Sequence, residues 1–420
     1  MSSFETANYN EIKGTHKFRN NAKAIEISNK HWEKAKENNL THLKVKVKGR
    51  NELYNIKGTD KEVINLCSFS YLGLNSHPDI IQAAIDALHE ESVLHLGIVT
   101  LRIRLGMKQR VEDELSDLYN TTVIQVLSAS VANAGILPVL ASGHLSDGKP
   151  LAMVFDRFCH FSMAYVKPIC ADEAPVFTCP NNDLNYIEDM CKKYPRVAYV
   201  TDGVYSMGGI ATLKGLLDLQ EKYGLFLYFD DSHSISIKGK HGEGYIASQL
   251  DEINDRTVIV GSLGKGFGAS GGMVLLGPGK HADILRRYGG PMGWSQDMNV
   301  AGLGAILGSI KIHRSPELGQ LQQKLQDNIA LFDKLIPNEY AGNGFPIRIV
   351  KFGAEEEAIR ASKAMFEQGF YTAPVYFPIV ERGKAGIRIM IRANIDQEDI
   401  VRLCDSIKSI AGKIQQERGN

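Results

Sequence analysis

The sequence predicts an α/β fold, with a mostly parallel sheet in a large domain and a smaller α/β domain towards the C-terminus. Through the middle of the chain, short apolar runs alternate with helical stretches, and after about residue 310 this pattern changes. Continuously apolar strands separated by helices are typical of a parallel sheet that is covered on both faces. A chain of 420 residues is long enough for two domains.

The first part of the chain is charged and mixed, and we treat residues 1–70 as a separate N-terminal segment. NNAKAIEISNKHWEKAKENN has a weak helical period, and LKVKVKG alternates like an exposed strand. We expect this segment to pack on the small domain and on a partner chain. The large domain then covers residues 71–310, and the small domain covers residues 311–420.

The large domain begins with a helix in SHPDIIQAAIDALHE, where Ser76 can act as the cap and one face holds Ile81, Ile85 and Leu88. The runs that predict strands are TVIQVL, LAMVF, VAYV, LFLYF, TVIV and GMVLLG. Between two of them, LKGLLDLQEKYG predicts a helix that ends at Gly224. We expect these strands to form a mostly parallel sheet of the seven-stranded type.

The small domain is predicted from a second alternation of helices and strands. SPELGQLQQKLQDNIALFDKLI reads as a helix and FPIRIV as a strand. A helix that ends near Gly369, the strand in GIRIMIRAN and a final helix complete this domain.

Composition excludes several classes of function. Lysine plus arginine equals aspartate plus glutamate at 48 each, which predicts neither a nucleic-acid partner nor a polybasic membrane patch. The six cysteines form no CxxC pair, so we expect reduced thiols and a cytoplasmic protein. The polar N-terminus has no signal-peptide pattern, and no apolar run approaches the ~18 residues of a transmembrane segment.

Polar residues follow five of the predicted strands. In a parallel α/β sheet, ligands bind beyond the carboxyl ends of the strands. A single histidine there is most often structural, and a single aspartate is most often a helix cap. Five such strand ends in one sheet indicate a binding site, formed by SASVAN with Ser128, Ala129, Ser130 and Val131, and by His160, Asp202, Ser206, Asp230, His233, Ser262 and Lys265.

This set of residues matches the needs of pyridoxal 5'-phosphate. The cofactor requires a lysine for a Schiff base and an acidic residue beside its ring nitrogen, roles that suit Lys265 and Asp230. His233 can donate to the ring hydroxyl, and His160 can lie flat against the ring. The small residues of SASVAN open a helix whose N–H groups can bind the phosphate. GKGFGASGG is not a nucleotide-phosphate loop, and no metal site is predicted.

Three motifs occur in an order and spacing that resemble the α-oxoamine synthase family of fold-type-I PLP-dependent transferases. They are TDGVYSMGGIATLKGLLDLQEKYG, LYFDDSHSISIKGKHGEG and GSLGKGFGASGG, and the resemblance extends from VINLCSFSYLGLNSHPDIIQAA to GIRIMIRAN. It implies a decarboxylative condensation of an amino acid with an acyl thioester, carried by coenzyme A or by an acyl-carrier protein. It also implies a homodimer with shared active sites.

The resemblance assigns further roles. Lys265 corresponds to the lysine that binds the cofactor and later moves a proton at the substrate α-carbon, with Asp202, Ser206 and Ser262 around the cofactor. Arg388 corresponds to the arginine that holds the substrate carboxylate, although on spacing alone Arg392 is nearly as good a candidate. Ser70 is assigned to the substrate, and Ser295 and Gln296 are assigned to the phosphate of the partner subunit.

Four segments depart from the family pattern, namely SASVAN, SFSYLGL, WSQDMNV and HLGIVTLRIRLG. These departures leave the identity of the substrate undetermined, whereas the identity of the cofactor does not depend on them. An aminotransferase or aldolase-type PLP enzyme is therefore an alternative. A non-catalytic partner subunit is a further alternative, against which the presence of Lys265, Asp230 and His233 argues.

Overall fold

The structure is a computed structural model that describes residues 20–48, 53–56, 61–279 and 281–419. Its strands are β1 (Val45–Lys48), β2 (Leu53–Ile56), β3 (Glu62–Asn65), β4 (Thr122–Val126), β5 (Ala152–Asp156), β6 (Val176–Cys179), β7 (Val197–Asp202), β8 (Phe226–Asp230), β9 (Thr257–Ser262), β10 (Gly272–Leu276), β11 (Ile347–Gly353), β12 (Phe370–Tyr371), β13 (Ala373–Val375) and β14 (Ala385–Met390).

The helices occupy the intervals between these strands. They are α1 (Asn20–Glu37), α2 (Pro78–Glu91), α3 (Gly106–Tyr119), α4 (Ala129–Ala141), α5 (Phe161–Ala164), α6 (Lys167–Glu173), α7 (Leu184–Lys193), α8 (Leu213–Tyr223), α9 (His281–Tyr288), α10 (Val300–His313), α11 (Pro316–Leu335), α12 (Glu355–Glu367) and α13 (Gln397–Gly419). The predicted stop of α8 is confirmed, since Gly224 caps it with a φ of 68°.

A seven-stranded sheet with the order β4-β10-β9-β8-β7-β5-β6 forms the centre of the described chain. β10 is antiparallel to both of its neighbours, and the other adjacent pairs are parallel. The predicted α/β fold with a mostly parallel sheet is therefore confirmed. Strand β6, in VFTC, is a strand that the sequence reading missed.

The strands of this sheet are buried on both faces, as their continuously apolar sequences predict. On β8, Leu227 and Phe229 belong to one hydrophobic cluster and Phe226 and Tyr228 to another, on the opposite face. All four side chains are at most 1% exposed. Because the sheet is covered on both sides, polar side chains of these strands reach open space only at the strand ends.

Helix α2 packs closely on α10 through small residues. A Cβ on Gly304 would lie 2.4 Å from the Cβ of Ala87, so glycine is what allows the two helices to approach this closely. The predicted cap at Ser76 is wrong, because the ring of His77 accepts the N–H of Asp79 at the start of α2. The apolar face predicted for this helix is only partly covered, since Ile81 is 48% exposed.

The N-terminal segment joins the C-terminal part of the chain. Strand β3 pairs in parallel with β12, which extends the sheet β1-β2-β3-β12. Helix α1 contributes Ala35 to a small cluster with Ile359 of α12. These contacts join the segment to β12 and α12. The boundary predicted after residue 310 lies inside α10, and the division into domains stays a prediction.

The C-terminal part contains a three-stranded antiparallel sheet with β14 between β11 and β13. Its strands pack with α11, α12 and α13 around a separate hydrophobic cluster that includes Ile347, Ile387 and Leu403. In the described ranges, no helix combines the length and the apolar character that crossing a membrane requires.

A fully buried arginine at the start of β11 is neutralised by a single carboxylate. Arg348 is 0% exposed, and its Nε and Nη2 atoms each donate to Asp333 of α11 at 2.7 Å. The carbonyl groups of Phe345 and Ile347 accept from Nη1 at 2.6 and 2.9 Å. This pairing joins α11 to the small sheet.

Removing the charge of Asp333 should destabilise the protein strongly, because Arg348 then stays buried without a counter-charge. We expect Asp333→Asn to lower the free energy of unfolding by about 3–5 kcal/mol in urea titrations. Glu356→Gln is the control, since Glu356 pairs with Lys34 at the surface and its loss should leave the unfolding midpoint unchanged. Equal midpoints for both variants would contradict a structural role of the Arg348 pair.

Candidate active site

A cavity of about 930 Å³ lies at the carboxyl ends of β5, β7, β8 and β9 and is closed on one side by β14. Most of the predicted site residues line it. They are Ser128, Ala129, Ser130, His160, Asp202, Ser206, Asp230, His233, Ser262, Lys265 and Arg388. The large sheet and β14 of the small sheet therefore bring together Ser128 and Arg388, which lie 260 residues apart in the chain.

Lys265 enters the cavity from the loop that follows β9. The loop folds back tightly, since the N–H of Gly268 donates to the carbonyl of Lys265 at 3.1 Å and Gly268 has a φ of 77°. Burial lowers the pKa of Lys265 to about 8, and the positive charge of Arg388 adds to this effect. The carboxylates of Asp230 and Asp202 act in the opposite direction. At pH 7, about a tenth of this amine is therefore uncharged, far more than for a lysine with an ordinary pKa.

His233 connects Lys265 to a buried tyrosine. Its Nε2 atom lies 2.9 Å from Nζ of Lys265, and its Nδ1 atom lies 2.6 Å from the hydroxyl of Tyr71. Burial, together with the charges of Lys265 and Arg388, lowers the pKa of His233 well below its ordinary value. Sequence reasoning missed Tyr71, although it lies in the quoted segment SFSYLGL.

Asp230 is buried and has no ion-pair partner within 4 Å in the described part of the chain. Its Oδ2 atom accepts from Nδ2 of Asn133 at 3.0 Å, and its Oδ1 atom accepts from the N–H of Ser232 at 3.2 Å. Asn133 also donates to Oγ of Ser162 at 2.8 Å and accepts from the hydroxyl of Tyr228 at 2.6 Å. Asn133 was missed as a site residue, although it is the last letter of SASVAN.

His160 is held as a neutral ring. The N–H of Ser162 donates to Nδ1 at 3.3 Å, and the hydroxyl of Ser162 lies 2.8 Å from the same atom. Burial lowers the pKa of His160, which agrees with an unprotonated Nδ1. Asp202 accepts the backbone N–H of His160 at 2.7 Å, so Asp202 positions the residue that was predicted to stack on the cofactor.

Asp202 and Asp230 are paired residues at the ends of β7 and β8. Burial and the neighbouring Asp230 raise the pKa of Asp202 well above its ordinary value. Asp202 is favoured as the neutral acid, whereas Asp230 faces the cavity with two hydrogen-bond donors.

The first turn of α4 faces the cavity with Ser128, Ala129 and Ser130. Ser128 caps the helix, and its Oγ atom accepts the N–H of Val131 at 3.2 Å. The N–H groups of Ala129 and Ser130 have no partner inside the helix, as at any helix N-terminus. Val131 does not line the cavity, and its N–H group is already used by Ser128. A Cβ on Gly272 would lie 2.5 Å from the backbone nitrogen of Ala129, so β10 runs directly beside this turn.

Arg388 lies at the centre of the small sheet and points at the opposite side of the cavity. Its Nη1 atom donates to the carbonyl of Ser206 at 3.3 Å, and its Nε atom is buried without a hydrogen-bond partner among the described residues. The ring of Phe69 lies close to both groups, with its centre 5.4 Å from Nζ of Lys265 and 5.6 Å from Cζ of Arg388. Phe69 was noted as a departure from the family pattern but not as a site residue.

Some predicted residues lie elsewhere. Ser70 is 4% exposed and donates to Asn75 at 2.8 Å, away from the cavity. Arg392 is 0% exposed and donates to the carbonyl of Asn65 at 2.9 Å, because β14 ends at Met390 and the two arginines do not share a strand face. Ser295 and Gln296 follow the short turn after α9 and do not line the cavity of their own chain.

The arrangement fits pyridoxal phosphate. Two buried polar atoms have no hydrogen-bond partner among the described residues, the hydroxyl of Ser232 and the Nε atom of Arg388. Both residues line the cavity. A lysine with a lowered pKa, a carboxylate without a cation and a helix N-terminus match the aldehyde, the ring nitrogen and the phosphate of that cofactor.

The chain is similar to proteins of known name. It is 29% identical to the 8-amino-7-oxononanoate synthase of Petrotoga mobilis over 82% of this chain and 87% of that protein. Its structure matches the serine palmitoyltransferase of S. paucimobilis, solved with a PLP–myriocin aldimine, with a TM-score of 0.81 at 21% identity over 94% of this chain and 98% of that one.

A further structural match is the 8-amino-7-oxononanoate synthase of Francisella tularensis, with a TM-score of 0.69 at 21% identity over 85% of this chain and 99% of that one. These names are those of α-oxoamine synthases, so the predicted resemblance is confirmed, as is the fold-type-I architecture. The model of the family described as Aminotransferase class I and II matches residues 61–407, and the chain belongs to this family.

Proposed function

We propose that this protein is a PLP-dependent C-acyltransferase that joins an amino acid to an acyl thioester, with loss of carbon dioxide, to give an α-amino ketone. The observation that carries the proposal is the placement of Lys265, Asp230 and Arg388 around one cavity. The similarity to 8-amino-7-oxononanoate synthases and to serine palmitoyltransferase supports the same reaction class.

The cofactor would be held by residues from several strand ends. The N–H groups of Ala129 and Ser130 would bind the phosphate, with Ser262 beside them, and Asp230 would keep the ring nitrogen protonated. His160 would lie against the ring. When bound, pyridoxal phosphate supplies an electron sink that stabilises negative charge at the substrate α-carbon.

Lys265 then has two tasks that both need an uncharged amine. Lys265 would hold the cofactor through its aldehyde, and its amine would take the proton from the α-carbon of the amino acid. A pKa of about 8 places this amine close to the working range of a general base. Nε2 of His233 lies 2.9 Å from Nζ, within hydrogen-bonding distance of the amine.

Arg388 binds the carboxylate of the amino acid. Among the described residues, its Nε atom has no hydrogen-bond partner and its Nη1 atom has one long hydrogen bond to Ser206, so the guanidinium has donors to spare for a bidentate pair. The substrate α-carbon would then lie between Arg388 and Lys265, close to the ring of Phe69. The acyl group joins this carbon, the thiol leaves, and the carboxylate is lost as carbon dioxide.

The thioester would enter past a mouth that carries three cationic residues. Arg157, Lys351 and Lys384 line it, and the two lysines pair with Glu339 and Glu381. Arg157 has no ion-pair partner within the described ranges. A cationic mouth suits the phosphate groups of coenzyme A and of a carrier-protein phosphopantetheine arm alike, so both donors belong in the test.

A homodimer with shared sites is part of the proposal. Ser295 and Gln296 lie outside the cavity of their own chain, where they are available to a second copy. The same region exposes large apolar side chains, with Leu94 at 66% and Trp294 at 58%. The N–H of Val300 donates to the carbonyl of Leu94 at 2.9 Å, so these segments form one surface that a second copy would cover.

Borohydride reduction of the protein with pyridoxal phosphate should fix the cofactor mass on the peptide that contains Lys265. Because the neutral amine reacts, the rate of attachment should rise about tenfold per pH unit below pH 8 and level off above it. Lys351→Ala removes another lysine from the same cavity and should not change the result. Cofactor mass on any other peptide would contradict the assignment.

Arg388→Ala should weaken amino-acid binding roughly ten- to a hundredfold while the visible absorbance of the bound cofactor persists. Arg157→Ala is the matched control, since it removes an equal charge from the mouth of the same cavity and should leave amino-acid binding unchanged. Arg392→Ala should lower stability without a selective effect on amino-acid binding. Binding would be read from the absorbance change on titration with amino acids. Equal losses in the Arg388 and Arg157 variants would argue against a specific clamp.

A carboxyl-labelled amino acid, supplied with an acyl-coenzyme A or an acyl-carrier protein, tests the reaction itself. Labelled carbon dioxide should be released only when the thioester is present, in equal amount with the free thiol. Amino-acid turnover with an intact thioester and a retained label would replace the proposal by an aminotransferase or aldolase-type activity. A protein that binds the cofactor but turns over no amino acid would point to a non-catalytic partner subunit.

A further inference from the structure

Three buried or half-buried groups form a continuous hydrogen-bonded chain that ends at the reactive amine. The hydroxyl of Tyr71 lies 2.6 Å from Nδ1 of His233, and Nε2 of His233 lies 2.9 Å from Nζ of Lys265. Tyr71 is 0% exposed and His233 is 3% exposed. The 2.6 Å contact is short for a hydrogen bond to nitrogen, so it is a well-formed interaction.

The backbone holds Tyr71 in place from two sides. Its N–H donates to the carbonyl of Phe69 at 2.8 Å, and its carbonyl accepts from the N–H of Ala393 at 2.8 Å. The ring of Phe69 meets that of His233 edge to face, with ring centres 5.6 Å apart. These contacts fix the backbone of Tyr71 and pack the ring of His233 against Phe69.

The phenol has a single proton, and two atoms compete for it. The alternative to His233 is Sδ of Met390, at 3.8 Å, and a thioether is a weak acceptor. Burial raises the pKa of Tyr71, so the phenol keeps its proton. The better acceptor is Nδ1 of His233, provided that Nδ1 carries no proton of its own.

The charges around His233 exclude the doubly protonated ring. The groups that face His233 and Lys265 from the surrounding elements are Asp202, Asp230, His160, Tyr71 and Arg388. Burial and the positive charges of Lys265 and Arg388 lower the pKa of His233 well below its ordinary value. The ring is neutral, so one nitrogen carries the proton and the other accepts.

When Tyr71 donates to Nδ1, the proton of the neutral ring must be on Nε2. An Nε2–H group then donates to Nζ of Lys265, and only an uncharged amine has the lone pair to accept it. In the opposite tautomer, Nε2 accepts from a charged ammonium group. The direction of the first hydrogen bond is thus coupled to the charge of Lys265.

We propose that Tyr71 is a positioning residue that holds the proton of His233 on Nε2 and thereby favours Lys265 as the neutral amine. The inference rests on the proposed function in one respect, namely that the neutral amine of Lys265 serves in the reaction. Its geometry involves residues of this chain alone.

The variant Tyr71→Phe tests the coupling, because it removes the donor to Nδ1 and leaves the ring shape unchanged. Without that donor, Nε2 is free to accept from the ammonium form, so the pKa of Lys265 should rise by about one unit towards its ordinary value. Competitive labelling of the full chain with acetic anhydride over a pH series, read at the Lys265 peptide by mass spectrometry, gives this pKa without substrate or activity.

Tyr376→Phe is the matched control. Tyr376 is 1% exposed, and its hydroxyl has no hydrogen-bond partner among the described residues. Tyr376→Phe should leave the pH dependence of Lys265 labelling unchanged. An unchanged Lys265 profile in a folded Tyr71→Phe variant would overturn the proposal, since a purely structural tyrosine changes the unfolding midpoint but not the amine.

A measurement on the unaltered protein keeps the proposal open to refutation if Tyr71→Phe does not fold. In the full chain labelled with ¹⁵N-histidine, the His233 ring should show a protonated Nε2 and an unprotonated Nδ1, with the signal assigned by its loss in His233→Asn. A protonated Nδ1 would overturn the proposal. Neither readout depends on the cofactor, so failure of pyridoxal phosphate to attach to Lys265 would count against the proposed function and leave this inference standing.

Discussion

The charges of Asp230 and Lys265 lie at the ends of neighbouring buried strands, and the rest of the site is arranged around them. Strands β8 and β9 pair in register up to Asp230 and Val260, and Lys265 follows in the loop after β9. Both are taken out of water by a sheet that is covered on both faces. A buried carboxylate without a close cation is costly, and a buried ammonium loses its proton readily. The site therefore combines a strong hydrogen-bond acceptor, Asp230, with a reactive amine, Lys265. A cationic ring bound beside Asp230 would offset the free-energy cost of burying its carboxylate.

Asn133 shows how the fold supports this arrangement. It lies one turn into α4, so the helix whose N-terminus faces the cavity also holds Asp230 from the side. Through Ser162, the same amide reaches the ring of His160. One buried side chain thus fixes the relative positions of three parts of the cavity. Buried polar networks of this kind are stable only when every member has its hydrogen-bond partners. A change at Asn133 would therefore disturb the first turn of α4, Asp230 and His160 together.

The order of the chain alone was enough to predict the fold class and the residues at the strand ends, because an apolar run followed by polar residues is a local pattern. The contacts that complete the site are not local. Tyr71 meets His233 across 162 positions and Asn133 meets Asp230 across 97, and no periodicity indicates such pairs. The choice between Arg388 and Arg392 depended on where β14 ends, which spacing cannot show. The short strand β13 contains Pro374, which masks its strand character in the sequence.

The two histidines of the cavity solve one electrostatic problem in the same way. The cavity already contains Lys265 and Arg388, and a charged imidazole would add to their mutual repulsion. Each ring is kept neutral by burial, and each Nδ1 has a donor against it, from Ser162 in the case of His160 and from Tyr71 in the case of His233. An accepting Nδ1 leaves the proton on Nε2, so both rings offer a hydrogen-bond donor to the cavity without a formal charge. Inside the cavity, positive charge is then left to Arg388 and Lys265, while Arg157, Lys351 and Lys384 carry it at the mouth.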